Sequence, residues 1–304
     1  MTSGGARPRI LLTGRDGQVG FELVRALAPL GEVHAVDVGD VDLSDSGAVP
    51  DLVREVRPSI VVNPAAYTAV DRAESEADAA RAVNAVAPGI LAEEAARIGV
   101  PIVHYSTDYV FDGAKREPYV EEDAPNPTGV YGRTKLEGEE MVRRSGARHV
   151  ILRLAWVYGT RGQNFLLTML RLGRERRALR VVDDQVGAPT WCRMIAEASA
   201  LVCRDLLAGT GLASGVYHLP AGGSTSWFGF AREIFDLAGD HAPEGRPTVE
   251  PIPTAAYPTP ARRPAYSVLS GAKIAAASGI ALPHWREQLR LAVPGIAGVE
   301  ERLP

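Results

Sequence analysis

Cysteine is scarce in this chain of 304 residues, with only Cys192 and Cys203 present. Two cysteines are too few for a disulfide framework or for a zinc site built from thiolates. Both fall within one apolar segment of helical character. We interpret them as reduced side chains that pack inside the protein.

Long hydrophobic runs and basic tracts are also missing. No stretch approaches the roughly 20 apolar residues of a membrane span, and the N-terminal segment lacks an apolar core of signal-peptide type. We therefore expect a soluble, cytoplasmic protein with no membrane partner. The formal net charge is -4, and Lys and Arg do not cluster. The sequence thus predicts no nucleic-acid partner.

What is present is an alternation of short apolar runs with helical segments, in a chain that is 46% hydrophobic. Strands are predicted at 10–12, 33–36, 60–62, 102–105 and 150–154, and helices at about 18–29, 74–98 and 129–144. This pattern predicts an α/β fold with a doubly wound, Rossmann-type parallel sheet. We expect residues 1–155 to form a nucleotide-binding domain. Residues 156–304 should form mainly a smaller α/β substrate-binding lobe, with some segments returning to the first domain.

A glycine-rich turn follows the first predicted strand and opens a helix, with Gly14, Gly17 and Gly20 at intervals of three. Such a turn lets a pyrophosphate approach the amides of a helix N-terminus, although many strand-to-helix turns contain glycine for backbone reasons alone. Asp37 ends the second predicted strand, where a carboxylate accepts hydrogen bonds from the adenosine ribose of NADH. Arg15 favours the 2′-phosphate of NADPH, so we predict use of both cofactors.

Small residues also follow the third predicted strand, in the segment 63–68. Ala65 and Ala66 leave room for a nicotinamide ribose near the backbone, which predicts a further cofactor contact. The alternative is an ordinary turn at the end of a strand.

Tyr131 and Lys135 are spaced i, i+4 on a predicted helix, so both side chains project from the same face. A nearby ammonium lowers the pKa of a phenol and makes proton transfer workable near neutral pH. We predict Tyr131 as proton donor, Lys135 as modulator of its pKa, and Thr107 as the hydroxyl that orients a substrate carbonyl. His104 is predicted to pack within its strand.

With these motifs the chain resembles the extended short-chain dehydrogenase/reductases and, within them, the dTDP-4-dehydrorhamnose reductase family. The resemblance runs nearly end to end. The segments most specific to that group are 68–74, 105–111, 156–158, 164–165, 184–185, 187–190 and 257–264. The resemblance implies NADH- or NADPH-dependent reduction of the C4 keto group of dTDP-4-dehydro-β-L-rhamnose.

The resemblance also implies roles for individual residues. It places Thr107, Asp108 and Trp156 against the sugar, and Trp156 offers a flat apolar ring. Arg262 and Arg263 are predicted to bind the substrate diphosphate, the alternative being a solvated surface turn. The cofactor contacts it implies are Gly17, Gln18, Val19, Asp37, Asp42, Leu43, Ala66, Tyr67, Thr68, Tyr131 and Lys135.

Two positions depart from the family pattern. Tyr67 stands where the family usually has histidine. Some members dimerise through a magnesium ion held by three glutamates, but here only Glu22 matches, with Arg193 and Gly295 at the other positions. One carboxylate beside an arginine does not hold a cation. We therefore predict no bound metal, and a monomer or weak homodimer without a magnesium bridge.

Two alternatives stay open at the level of sequence. A ketoreductase for another dTDP-4-keto-deoxysugar, such as dihydrostreptose or another antibiotic sugar, would carry nearly the same site residues. A non-catalytic, NADP-binding regulatory subunit is the alternative from a different class, which the presence of Tyr131, Lys135 and Thr107 disfavours.

Overall fold

The computed structural model describes residues 7–239 and 246–300. Strands and helices alternate through its first half. The strands are β1 (Arg9–Thr13), β2 (Glu32–Val36), β3 (Ile60–Asn63), β4 (Ile102–Thr107) and β5 (His149–Leu154). The helices are α1 (Gln18–Leu27), α2 (Ala48–Val56), α3 (Val70–Ala73), α4 (Ala77–Arg81), α5 (Ala87–Ile98) and α6 (Val130–Arg144). A π-helical turn, Ala82–Val86, joins α4 to α5, and a 3₁₀ turn, Asp108–Val110, follows β4.

Shorter strands and longer connections make up the second half. Its strands are β6 (Val157–Tyr158), β7 (Ala178–Val182), β8 (Val186–Gly187), β9 (Thr190–Trp191), β10 (Gly215–His218), β11 (Thr225–Ser226) and β12 (Thr248–Ile252). Its helices are α7 (Phe165–Glu175), α8 (Cys192–Leu207), α9 (Trp227–Ala238), α10 (Ala272–Ser278) and α11 (Trp285–Glu300). None of the helices in the described ranges is both long and apolar enough to cross a membrane.

The central sheet is parallel and, within the described residues, has six strands in the order β10-β5-β4-β3-β1-β2. The predicted Rossmann-type doubly wound sheet is thereby confirmed. Gly215 pairs with Val150, so β10 returns from the second half of the chain to extend this sheet. All these strands end at the same edge, which is where ligands bind in open parallel sheets.

Helices cover both faces of the sheet, which explains why most positions at the centre of the sheet, in β1 and β3 above all, are apolar. On one face, Leu23 of α1 and Ile195 of α8 pack against the strands. On the other, Leu52 of α2 and Leu91 of α5 do so. A separate hydrophobic core around Phe230 of α9 is formed by buried residues from the second half of the chain.

The predicted helix 74–98 is present from Ala77 to Ile98, where α4, the π-helical turn and α5 follow one another without a gap. Residues 74–76 lie before α4, and the π-helical turn was not predicted. Pro88 supplies the physical reason, because it has no backbone N–H to donate to the preceding turn. The irregular turn places the buried side chain of Asn84 on the loop after β3.

Candidate active site

A cleft of about 1130 Å³ lies along the carboxyl ends of β1 to β5 and is closed on one side by α7 and α9. It brings together most of the predicted site residues. These are Gly14, Gly17, Gln18, Val19, Asp37, Asp42, Leu43, Ala65, Ala66, Tyr67, Thr68, Thr107, Tyr131, Lys135, Trp156 and Arg263. Three predicted residues, Arg15, Asp108 and Arg262, lie next to the cleft without lining it.

The glycine-rich turn is shaped to receive a ligand close to the backbone. Gly14 has a φ of +64°, and a Cβ there would lie 2.8 Å from the Cα of Ala65. A Cβ at Gly20 would lie 1.9 Å from the carbonyl oxygen of Gly14. Gly17 precedes the first residue of α1, so the free amides of that helix face the cleft. This cradle fits the pyrophosphate of a dinucleotide.

The carboxylate of Asp37 is fixed at the far end of this cradle by two backbone amides. Asp16 N and Val38 N each donate to it at 2.8 Å. Arg15 Nη1 lies 2.7 Å from Asp40 Oδ2, and the same nitrogen donates to Ala35 O at 3.0 Å. Asp40 was not predicted as a site residue, although it lies three positions after Asp37 in the sequence. Arg15, Asp37 and Asp40 thus place a cation and two carboxylates where the adenosine ribose of a dinucleotide would lie.

Asp42 and Leu43 form a further part of this end of the cleft. The carboxylate of Asp42 accepts a hydrogen bond from Ser44 N at 2.8 Å, and hydrogen bonds from Ser44 lower the pKa of Asp42. These hydrogen bonds favour the ionised carboxylate of Asp42, which can accept hydrogen bonds but cannot donate them.

The side chain of Asn84 anchors the loop after β3. Its Oδ1 accepts from Tyr67 N at 2.9 Å, and its Nδ2 donates to Tyr67 O at 3.1 Å and to Thr134 Oγ1 at 3.2 Å. The Tyr67 hydroxyl donates to Glu76 at 2.5 Å. That hydrogen bond raises the pKa of Tyr67. The only sequence signal for Asn84 is a polar residue within an apolar helical segment.

Tyr131 and Thr107 line the middle of the cleft, and the buried carboxyl group of Asp108 lies directly behind them. Thr107 Oγ1 donates to Asp108 Oδ1 at 2.9 Å. Burial raises the pKa of Asp108 to about 7. Burial also raises the pKa of Tyr131, and a hydrogen bond with Thr107 lowers it in part. The net rise is opposite to the lowering predicted from the Tyr-x-x-x-Lys spacing, so Tyr131 holds its proton across the physiological range.

Lys135 is fully buried one turn further along α6, with its Nζ donating to Tyr105 O at 2.6 Å. Burial lowers the pKa of Lys135 to about 8, and the charge of Glu139 acts against that lowering. The amine therefore changes its charge close to physiological pH.

We expect kcat/KM for carbonyl reduction to fall as the pH rises through about 8. In the role predicted for it, Lys135 is below that pH an ammonium that stabilises negative charge developing on the Tyr131 oxygen, and above that pH its side chain is neutral. A pH profile of kcat/KM measures this. Lys135→Met should be slow and should lack this alkaline decline; an unchanged decline in the variant would contradict the assignment.

His104 lies in the core of the sheet, consistent with its predicted packing role. Its Nδ1 is 3.1 Å from Asn63 Nδ2, and Asn63 Oδ1 accepts from Thr13 Oγ1 at 2.6 Å. Burial, with the charge of Lys135, holds the pKa of His104 well below its usual range. The ring is therefore neutral.

A buried ion pair between Arg153 and Glu139, next to Lys135 on α6, was not predicted. Arg153 of β5 donates to both carboxylate oxygens of Glu139, at 2.9 and 2.7 Å. Ser106 donates to the same carboxylate, and Arg153 Nη1 is 3.4 Å from His218 Nε2. The pair joins α6 to three neighbouring strands of the sheet.

The end of the cleft where the sugar is predicted to bind is lined by aromatic side chains. Trp156 has a φ of +46° and stacks on Trp227, with ring centroids 3.5 Å apart and planes at 3°. A Cβ at Gly187 would lie 2.3 Å from Cε2 on the indole of Trp156. Trp227 therefore covers one face of Trp156, and Gly187 packs against the same indole.

The two predicted arginines have different environments. Arg263 lines the cleft, where it donates to the Tyr109 hydroxyl at 3.0 Å and to Asp71 at 2.8 Å. Arg262 is exposed and lies outside the cleft wall.

Glu22 is buried and bound by two arginines. Arg25 donates to it, and Arg193 Nε lies 3.2 Å from its Oε2. Gly295 belongs to α11, and its surroundings lie outside the described residues. Within ranges 7–239 and 246–300, no three His, Cys, Asp or Glu side chains converge as they would around a metal ion.

Comparison with known proteins identifies the family to which this chain belongs. Residues 8–296 match the family model described as the RmlD substrate binding domain. A dTDP-4-dehydrorhamnose reductase of Burkholderia thailandensis is 48% identical over 94% of this chain and 98% of its own length. The crystal structure of a reductase of that name from Clostridium acetobutylicum has a TM-score of 0.88 at 39% identity, over 95% of this chain and 99% of its own. One from Bacillus anthracis, in complex with NADP, has a TM-score of 0.87 at 34% identity, over the same shares.

Proposed function

Because this chain belongs to the RmlD substrate binding domain family, we propose that it reduces the C4 keto group of dTDP-4-dehydro-β-L-rhamnose to give dTDP-L-rhamnose. The observation that carries the proposal is the single cleft in which Thr107, Tyr131 and Lys135 lie beyond the glycine-rich turn. A dinucleotide on that turn and a keto sugar at the aromatic end would meet at these side chains.

A reduced nicotinamide, when bound, supplies the hydride for the C4 carbon. Gly14, Gly17 and the amides of α1 would hold its pyrophosphate, and Ala65 and Ala66 would face its ribose. Tyr131 donates its phenolic proton to the C4 oxygen, and Thr107 holds that oxygen in place by a hydrogen bond. Lys135 stabilises the phenolate that remains. Arg263 provides a cation for the substrate diphosphate.

Both reduced nicotinamide cofactors fit the adenosine end. Asp37 accepts hydrogen bonds from a ribose, which suits NADH, and Arg15 can leave Asp40 to bind the 2′-phosphate of NADPH. A preference for one cofactor above about a thousandfold in kcat/KM, roughly 4 kcal/mol, would contradict dual use.

Arg15→Gln is expected to lower kcat/KM for NADPH by about tenfold to a hundredfold, and to leave kcat/KM for NADH nearly unchanged. The reason is that only NADPH carries the phosphate that the guanidinium binds. Steady-state kinetics with each cofactor measure the effect. Arg143→Gln, at an exposed position on α6, is the matched control. Equal losses with the two cofactors would contradict the assigned contact.

The division of the chain at residues 155 and 156, and its oligomeric state, are part of the same proposal. The separate core around Phe230 supports a substrate lobe in residues 156–304, with β10 contributed back to the nucleotide-binding domain. The two arginines on Glu22 support a monomer or weak homodimer without a magnesium bridge, since they leave no free carboxylate for a cation.

The direct test is oxidation of NADH and NADPH by the purified protein with enzymatically prepared dTDP-4-dehydro-L-rhamnose, with the sugar product identified by chromatography. Turnover to dTDP-L-rhamnose is the expected result. Cofactor binding without turnover of this sugar would favour another dTDP-4-keto sugar, or the regulatory alternative if no keto sugar reacts.

A further inference from the structure

Trp227 stands at the aromatic end of the cleft and has no role in the reaction as derived above. Its indole covers one face of Trp156, and the backbone at Gly187 packs closely against the same indole. Both tryptophans line the cleft. The orientation of Trp156 is therefore set by what holds Trp227.

Three neighbours hold Trp227. Its Nε1 donates to Gln185 Oε1 at 3.2 Å, and Gln185 Nε2 in turn donates to Thr254 Oγ1 at 3.0 Å. The ring of Phe165 lies 4.6 Å from that of Trp227. Ser226 caps α9 by accepting from Gly229 N at 3.0 Å, which fixes the start of the helix at Trp227. Gln185 thus holds the indole at its Nε1, Phe165 packs against the ring, and the cap at Ser226 fixes the backbone of Trp227.

The backbone of Trp156 gives an independent sign that its position matters. Its φ of +46° lies in the left-handed region, which a bulky residue rarely adopts. Such a conformation persists where the surrounding structure enforces it, and it is concentrated at ligand sites. Here the enforcing contacts are the stack with Trp227 and the close approach of Gly187.

We propose that Trp227 is a positioning residue for the sugar nucleotide: it fixes the plane of Trp156 so that the indole edge faces the sugar, and the two rings stay stacked when the substrate binds. This inference rests on the proposed function, because it assumes that the sugar occupies this end of the cleft. It also gives a role to Gln185 and Gly187, which lie in the segments typical of the family.

The kinetic test compares Trp227→Leu with Trp227→Phe. Loss of the ring in Trp227→Leu should raise KM for dTDP-4-dehydro-L-rhamnose about tenfold, with KM for NADPH and the dissociation constant of NADPH unchanged. Trp227→Phe keeps a stacking partner and should show a smaller rise. Phe228→Leu is the control, because Phe228 is the next aromatic residue on α9 and lies outside the cleft wall. A merely structural role would affect NADPH and the sugar nucleotide alike.

The spectroscopic test uses circular dichroism of the indole bands. Two parallel indoles at 3.5 Å should give an exciton couplet that Trp227→Phe abolishes. The couplet should persist when the wild-type protein is saturated with dTDP-L-rhamnose, and its disappearance would overturn the proposal. An unchanged KM for the sugar in Trp227→Leu would overturn the inference alone. Absence of turnover by the wild-type protein would contradict the proposed function and the inference with it.

Discussion

Replacing Tyr131 with phenylalanine is expected to lower kcat by about a hundredfold to ten-thousandfold while leaving the affinity for NADPH unchanged. The variant keeps the aromatic ring, which lies 5.5 Å from that of Tyr109, and loses only the hydroxyl. Without that hydroxyl, no positioned acid supplies the proton for the C4 oxygen. Single-turnover kinetics with bound NADPH would measure the loss in the chemical step directly.

The matched control is Tyr217→Phe. The Tyr217 hydroxyl donates to Ala213 O at 3.0 Å, in a part of the sheet away from the cleft. Its removal should leave kcat unchanged. A kcat for Tyr131→Phe within a fewfold of wild type would contradict the role of Tyr131, and a loss of NADPH binding would show that the ring itself had moved.

Much of this site could be predicted because its parts are local in sequence. The glycine-rich turn with its following helix, and Tyr131 with Lys135, are each defined by spacing along one strand-helix junction or one helix. Thr107 follows a strand whose carboxyl end must lie at the ligand edge of a parallel sheet. For such residues the fold class is sufficient to place the side chain in the cleft.

Other parts depend on contacts between distant segments, which no spacing encodes. Trp227 meets Trp156 although the two residues lie far apart in the sequence, and Glu139 meets Arg153 only because α6 packs behind β5. The stacking of Trp156 on Trp227 could not be foreseen from its residue type. The rise in the Tyr131 pKa likewise follows from burial, which outweighs the effect expected from the i, i+4 spacing to Lys135.

The fold likewise has local features that could be predicted from the sequence and features that depend on contacts between distant segments. The strands of the first half were predictable as apolar runs because they are buried on both faces. The π-helical turn between α4 and α5 was missed, since the segment has strong helix-forming composition and the turn depends on Pro88 and on the buried contacts of Asn84. The pairing of β10 with β5 was missed because it joins segments that are far apart in the chain.

Breaking the buried pair of Glu139 and Arg153 should have the largest effect on stability. Both side chains are almost fully buried, and two hydrogen bonds of 2.9 and 2.7 Å join them. Removal of one partner leaves a charge in the core without compensation. We expect Glu139→Gln and Arg153→Met each to lower the free energy of unfolding by about 3–5 kcal/mol, as measured by urea denaturation.

The double variant, Glu139→Leu with Arg153→Met, distinguishes the net contribution of the ion pair to stability from the cost of leaving one buried charge unpaired. Replacing both charges with apolar side chains of similar size removes their desolvation together with their attraction, so its loss should be much smaller than the sum of the single losses. Additive losses would contradict the coupling. The double variant also removes the carboxylate one turn beyond Lys135, whose charge favours the ammonium. Its alkaline decline in kcat/KM should therefore move to lower pH, which links the buried pair to the chemistry of the cleft.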